Sequence, residues 1–185
     1  MAGKVSFTAM EHGTRADYDL VTRHDSEAAS DLADRVLGWL ESMDGDSPYQ
    51  ISRLEHCLQS ATRAERDGAD EETVVCVLLH DIGDVIGPMN HSQAAAALLR
   101  PYVSEKNHWI VLHHGLFQGY YYFGHFDMNP DERDRYKEHE YYQACVDFCA
   151  RWDQASFDPD YDTLPLEHFA PMVRRLFARQ PKSVF

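Results

Sequence analysis

A chain of 185 residues, 44% hydrophobic and 12% aromatic, carries enough apolar material for one globular domain with a real core. Its 31 acidic residues against 17 basic ones give a net charge of −14, which argues against nucleic acid as a partner, because binding a phosphate backbone needs a basic face. No apolar run reaches membrane-spanning length, and Met1–Ala2–Gly3–Lys4–Val5 leads into a polar stretch rather than a secretory signal, so the expectation is a soluble, cytoplasmic protein with no membrane partner.

Residues 1–24 are mixed and polar and read as an irregular arm. A helix is expected from Ser26, which can cap it, with Leu32, Val36, Leu37 and Leu40 at helical spacing. Residues 44–48 form a loop. A second helix, from about Ser52 to Asp67, carries Leu54, Cys57, Leu58 and Ala61 as its stripe, with His56 beside it, and Gly68 ends it. Asp70 caps the next segment, apolar through Val74, Val75, Val77, Leu78 and Leu79; its β-branched residues hint at a strand, but its length and caps favour a buried helix. Residues 87–90 are a turn, after which Asn90 can cap a helix through the four alanines to Leu99, stopped by Pro101. A helix from Glu105 to His114 follows, then Gly115 and an aromatic run to Phe123. Asp131 to Ala155 reads as one or two helices ending in Arg151–Trp152–Asp153, and Leu166 to Ala178 as a last amphipathic helix. With no repeat and no convincing strand, the expected fold class is all-α, in a single domain over residues 1–185. Cys57, Cys76, Cys145 and Cys149 form no CxxC pair and are expected as reduced thiols; Cys145 and Cys149 stand one turn apart, a spacing that could suit a metal, but small core residues are the favoured reading.

The pattern that stands out is Leu78–Leu79–His80–Asp81–Ile82–Gly83. Neighbouring residues on a helix point about 100° apart, so His80 and Asp81 reach one centre only where the helix ends or opens. Imidazole beside carboxylate suits Fe, Mn, Zn or Mg. The chain supplies further donors near helix ends or inner faces: His56, His91, the pair His113–His114, and Asp153. Helical bundles build metal sites in this way. Four imidazoles and two carboxylates exceed the four ligands of a structural zinc, and suit two metals if one carboxylate, Asp81, bridges them. His12, His24, His108, His125, His139 and His168 are read as ordinary imidazoles.

His56, then His80–Asp81, then Asp153 resembles the H…HD…D pattern of the HD-domain superfamily, over about residues 46–160, which would be the metal-binding core of an HD-domain helical bundle. Arg53–Leu54–Glu55–His56–Cys57–Leu58–Gln59, Leu78 to Gly83 and Trp152–Asp153 are similar to the branch of mixed-valent diiron oxygenases that cleave the C–P bond of hydroxylated phosphonates; myo-inositol oxygenase is a more distant member. The resemblance implies one iron on His56, His80, Asp81 and Asp153 and a second on Asp81, His91 and His114. His113 is the rival to His114, which is preferred because the branch's motif continues His–Gly with a polar residue four positions on, a lysine there and Gln118 here. The branch has a histidine where this chain has Asp84, and a tyrosine–glutamate pair that gates one iron where this chain has Asp46 and Tyr49.

Lysine to Gln118 removes a cation and histidine to Asp84 adds a carboxylate, so both departures favour a cationic group, which rings of the aromatic run could also face through cation–π attraction. Within the branch the chain is most similar to the oxygenases acting on (R)-1-hydroxy-2-(trimethylammonio)ethylphosphonate, which yield glycine betaine and phosphate with O2 as co-substrate. The resemblance therefore implies Fe(II)/Fe(III), a small phosphonate supplied by a separate hydroxylase, Asp81, Asp84 and Gln118 in catalysis, and Tyr49, Arg53, Asp84 and Gln118 around the substrate, with Arg53 facing the phosphonate as a bidentate donor or lying solvated at the surface. The His/Asp donor set accepts manganese as well as iron. Two other readings stand: a metal-dependent phosphohydrolase of the same fold acting on a phosphate ester or nucleotide, and a non-catalytic helical module for choline-like cations.

Overall fold

Side-chain caps decide where the helices begin. In the computed structural model, which describes residues 3–183, Thr14, Ser52, Asp70 and Ser104 each accept a hydrogen bond from the backbone amide three residues on, satisfying one of the donors a helix start leaves free. They open α1 (Arg15–Ser30), α3 (Arg53–Arg66), α4 (Glu71–Leu78) and α6 (Glu105–Gln118). The remaining α-helices are α2 (Leu32–Glu41), α5 (His91–Leu99), α7 (Tyr142–Phe148) and α8 (Leu166–Phe177), joined by short 3-10 turns. The architecture is all-helical, with no strand among the described residues.

α4 organises the packing. It lies against α3, α6 and α8, and Val74, Val75, Cys76, Val77 and Leu78 are all at most 2% exposed. A helix enclosed on every side needs no polar face, which is why its β-branched run shows no amphipathic period. Full burial of each such Val or Leu contributes about 1.5–3 kcal/mol. α8 covers the far side through Phe169, Val173 and Leu176, and α5 lays Ala95, Ala96 and Leu99 into the same core. All four cysteines are buried thiols; the Cys145 and Cys149 thiols point at the Ile110 and His114 carbonyls.

Three elements differ from expectation. The N-terminal arm, of which residues 1–2 lie outside the described residues, is not irregular throughout. It makes a 3-10 turn at Met10–His12 and then α1, and Ser26 is mid-helix, its hydroxyl donating to the Thr22 carbonyl instead of capping. The start is a capping box: the Asp17 carboxylate accepts from the Thr14 amide and hydroxyl and from the Ser6 amide. α1 buries no apolar side chain, so hydrophobic spacing carries no trace of it. α6 runs through Gly115 to Gln118. The 131–155 region splits into a 3-10 helix (Pro130–Tyr136), α7, and a π-turn (Cys149–Asp153) in which the Gln154 amide reaches back to the Cys149 carbonyl.

The Glu72 carboxylate ties α4 to α6 and to the segment after α8, accepting from the Ser104 amide at 2.7 Å, Asn107 Nδ2 at 3.0 Å and Arg179 at 2.5 Å. Burial raises its pKa, but these donors outweigh burial and hold it at about 2. The folded value lies below the ordinary 4.5, so the clamp's contribution is complete above pH 4.5 and is lost as pH falls towards 2. The urea midpoint of the wild type is expected to fall across that window and that of Glu72→Gln to fall less. Glu72→Ala is expected to cost about 1–3 kcal/mol at neutral pH by stranding the buried Asn107 amide.

Candidate metal centre

α4 ends at Leu78, and the chain turns into a 3-10 helix over Ile82–Val85. His80 and Asp81 occupy that opening, which lets adjacent side chains face one interior point. His56 comes from the first turn of α3, His91 from the start of α5, His114 from just before the last turn of α6, and Asp153 from the end of the π-turn. The extra residue of a π-turn rotates the side chain that follows it, and such turns recur at functional sites.

Each of the four imidazoles is held from behind. Nδ1 of His56 lies 2.9 Å from the Ser156 carbonyl, that of His80 2.7 Å from Val77, that of His114 2.7 Å from Val111 and that of His91 3.3 Å from Pro88. A carbonyl oxygen only accepts, so Nδ1 carries the proton and in the neutral ring Nε2 presents a lone pair. Those lone pairs converge. His56 Nε2 and His80 Nε2 are 3.2 Å apart. Asp81 divides its oxygens between two groups: Oδ2 is 3.6 Å from Nε2 of both His56 and His80, and Oδ1 is 3.4 Å from His91 Nε2 and 3.2 Å from His114 Nε2. Asp153 Oδ1 lies 3.4 Å from His56 Nε2 and 3.7 Å from His80 Nε2, and its Oδ2 is buried with no hydrogen-bond partner.

Acceptors facing acceptors in a buried pocket call for a cation, either a proton or a metal. Burial penalises a charged His80, but Asp81 and Asp153 outweigh it and raise the imidazole to about 9. Burial likewise raises Asp81 and Asp153, and the surrounding histidines outweigh it and hold both well below the usual carboxylate range. The donor set, the inward lone pairs and the orphaned Asp153 oxygen fit metal ions, and the cluster is able to bind them. Its atoms group as His56/His80/Asp81, His80/His114/Asp153 and Asp81/His91/His114, each within 4.8 Å.

The cluster floors a cavity of about 600 Å3. Gln118 lines it, with Nε2 donating to Asp153 Oδ1 at 3.0 Å and a buried Oε1 that has no partner. Tyr49 also lines it, whereas Asp46 lies exposed outside the lining. Arg53 and Asp84 are both at the wall, but they are paired: Arg53 donates through Nη1 to Asp84 Oδ2. Asp84 is raised by burial and by Asp81, against the pull of Arg53. His113 points away, stacked on Trp109 at 4.1 Å. Within the aromatic run, Phe117 is core, while Tyr121 and Tyr122 line the cavity.

Sequence reasoning missed Phe126, Gln154 and Phe157 in the lining. Phe157 stacks on His56 at 4.4 Å and meets Tyr49 at 4.8 Å. The signal was present in Gln59, whose fully buried amide donates to the Asp158 carbonyl and accepts the Asp158 amide, pinning residues 156–158 behind His56. Two glycines admit the second half of the cluster. A Cβ on Gly83 would overlap the His91 carbonyl, lying 2.7 Å from His91 Cα, and one on Gly115 would lie 2.7 Å from Ser92 Oγ.

The sequence profile of the HD domain matches residues 53–148, the span from Arg53 at the start of α3 to Phe148 at the end of α7. A relative from Leisingera caerulea, [1-hydroxy-2-(trimethylamino)ethyl]phosphonate dioxygenase (glycine-betaine-forming), is 26% identical over 174 residues, covering 76% of this chain and 88% of the relative.

His114→Ala is expected to abolish at least one equivalent of bound metal, read by elemental analysis after Fe(II) loading. His113→Ala is expected to keep the metal and lose only its ring contact, about 0.5–1.5 kcal/mol of stability. Gly83→Ala, which forces backbone apart, is expected to cost about 1–3 kcal/mol and to lower metal content while the helical circular dichroism persists.

Proposed function

The chain belongs to the HD-domain family, and from that premise we propose that it is a non-haem diiron dioxygenase that cleaves the C–P bond of a 1-hydroxyphosphonate. The substrate is (R)-1-hydroxy-2-(trimethylammonio)ethylphosphonate and the products are glycine betaine and phosphate. Family and relative together support a metal-dependent HD enzyme. The observation that carries the finer reading is the split of Asp81, one carboxylate oxygen towards His56 and His80 and the other towards His91 and His114. A carboxylate divided in this way supports the reading, since it could bridge two ions.

On this reading His56, His80, Asp81 and Asp153 would hold one iron, and Asp81, His91 and His114 would hold the other. Bound iron supplies Lewis acidity and the reduction of O2. The reaction balances without an added reductant: the C–P bond breaks, the hydroxyl-bearing carbon rises to a carboxylate, and the two atoms of O2 are taken up between carboxylate and phosphate. The hydroxyl the reaction requires has to be installed beforehand by a hydroxylase.

The chain's own residues bind and orient. Gln118 donates one N–H to Asp153 Oδ1 and so steadies that carboxylate, while its buried Oε1 has no partner and could accept a hydrogen bond if a substrate or solvent O–H reached it. Phe157 stacks on His56 and Tyr49 packs against Phe157, and Tyr122 and Phe126 line the same cavity. Ring faces of this kind suit a trimethylammonium group, which offers no hydrogen bond donor and is recognised by its charge and its methyl surface. No described helix is long and apolar enough to cross a membrane.

The test is phosphate release from (R)-1-hydroxy-2-(trimethylammonio)ethylphosphonate by Fe(II)-loaded protein, with and without oxygen. Release in air only, matched by equal O2 uptake and abolished in His91→Ala, is the expected outcome. Equal release in both atmospheres would mean hydrolysis and overturn the oxygenase.

A further inference from the structure

We propose that Asp84, braced by Arg53, is a positioning residue that holds His91 on the second half of the cluster; this rests on the two-metal reading above. His91 is the least constrained of the four imidazoles. Its Nδ1 contact of 3.3 Å is longer than the 2.7–2.9 Å of the other three. Its side chain is 29% exposed, against 5%, 0% and 2% for His56, His80 and His114. The carbonyl behind it belongs to Pro88, in a short 3-10 turn at the cavity edge. A ligand so placed needs a further hold if it is to stay aimed inward.

Asp84 stands where that hold is needed. It follows Asp81 by three residues in a 3-10 turn, whose positions i and i+3 eclipse, so both carboxylates face the same way. Asp84 Oδ1 lies 3.8 Å from His91 Nδ1, on the ring edge opposite the one that faces Asp81. That N–H already makes its long 3.3 Å bond to Pro88, and the Asp84 carboxylate, 3.8 Å away, adds an electrostatic hold on the same proton. A cation on Nε2 strengthens the pull, because it makes Nδ1–H more positive. Carboxylate behind imidazole behind metal is a recurrent arrangement that sets ring orientation and ligand basicity.

Arg53 makes Asp84 tolerable. The Asp84 side chain is only 8% exposed and sits beside Asp81, so an unpaired charge there would repel the bridging carboxylate. Arg53 Nη1 takes Oδ2 and leaves Oδ1 for His91. Arg53 is also the first residue of α3, one turn ahead of His56. The pair therefore links the helix carrying one half-site to the turn that serves the other. Both residues could instead have been substrate contacts, and the two roles separate experimentally.

Fe(II) is titrated anaerobically into wild type, Asp84→Asn, Asp84→Glu and Arg53→Gln, followed by calorimetry and elemental analysis, with thermal melts as the fold control. The expected result is two equivalents in the wild type. Asp84→Asn should weaken the second by about 10–100-fold and leave the first unchanged. Asp84→Glu should recover part of the loss, and Arg53→Gln should move in the same direction by less. In turnover, kcat should fall in Asp84→Asn at saturating iron while KM for the phosphonate stays flat. Unchanged affinity for both equivalents with a raised KM would make Asp84 a substrate contact and overturn the proposal. A wild type that takes up one equivalent would sink the two-metal reading itself, a failure distinct from the first because it precedes any variant. Should Asp84→Asn not fold, Arg53→Gln decides: an unweakened second equivalent there overturns the brace.

Discussion

Everything at the centre of this molecule depends on four backbone carbonyls, those of Ser156, Val77, Pro88 and Val111, taking the Nδ1 protons of His56, His80, His91 and His114. Each bond settles a tautomer, and each tautomer turns a lone pair inward. Without a cation, two nitrogens 3.2 Å apart and a carboxylate oxygen with no donor make an unfavourable interior. The cluster is thus a store of unsatisfied acceptors that a metal relieves, and the surrounding fold has to keep it from collapsing onto protons or onto itself.

The packing of α4 supplies that rigidity. Enclosed by α3, α6 and α8, the helix cannot slide, so the point where it opens at His80 and Asp81 is fixed in space. Other elements are then brought to that point by what they lack. Gly83 and Gly115 have no side chain where α5 and α6 approach, and the π-turn breaks α-helical register just before Asp153. A better-packed helix at any of these places would be more stable and would present the wrong residue. Site and stability compete here, and α4, with its fully apolar interior, offsets the cost.

The parts legible in the sequence were those with local causes. Ser52, Asp70 and Ser104 act as caps, Gly68 with its φ of +80° ends the second expected helix, and His56, His80, Asp81, His91, His114 and Asp153 converge as their order along the chain suggested. What escaped had non-local or unpatterned causes. α1 has a polar capping box but no buried apolar stripe. Gly115 looks like a helix terminator and is instead a clearance for Ser92. Phe157 lies in a stretch that no periodicity marks, and it is placed by the bonds of Gln59 to its neighbour Asp158, 99 residues away along the chain. The choice between His113 and His114 is made by Trp109, which stacks His113 on the outer face of α6.

The pairing of Arg53 with Asp84 also changes the electrostatic argument for substrate recognition. Read from the sequence, Asp84 adds a negative charge that would attract a cation. In the fold that charge is matched by Arg53, so the two cancel at the cavity wall. Asp81 and Asp153 are consumed by the cluster, and two iron ions would leave the floor net positive. On the function proposed above, a dipolar substrate entering such a pocket would lie with its phosphonate towards the floor. Its cation would then be directed away from the cluster and towards Tyr49, Tyr122, Phe126 and Phe157, which line the same cavity. On that reading, recognition of a quaternary ammonium would fall to ring faces rather than to a carboxylate. This suits a group that cannot donate a hydrogen bond and that gains little from a carboxylate already paired.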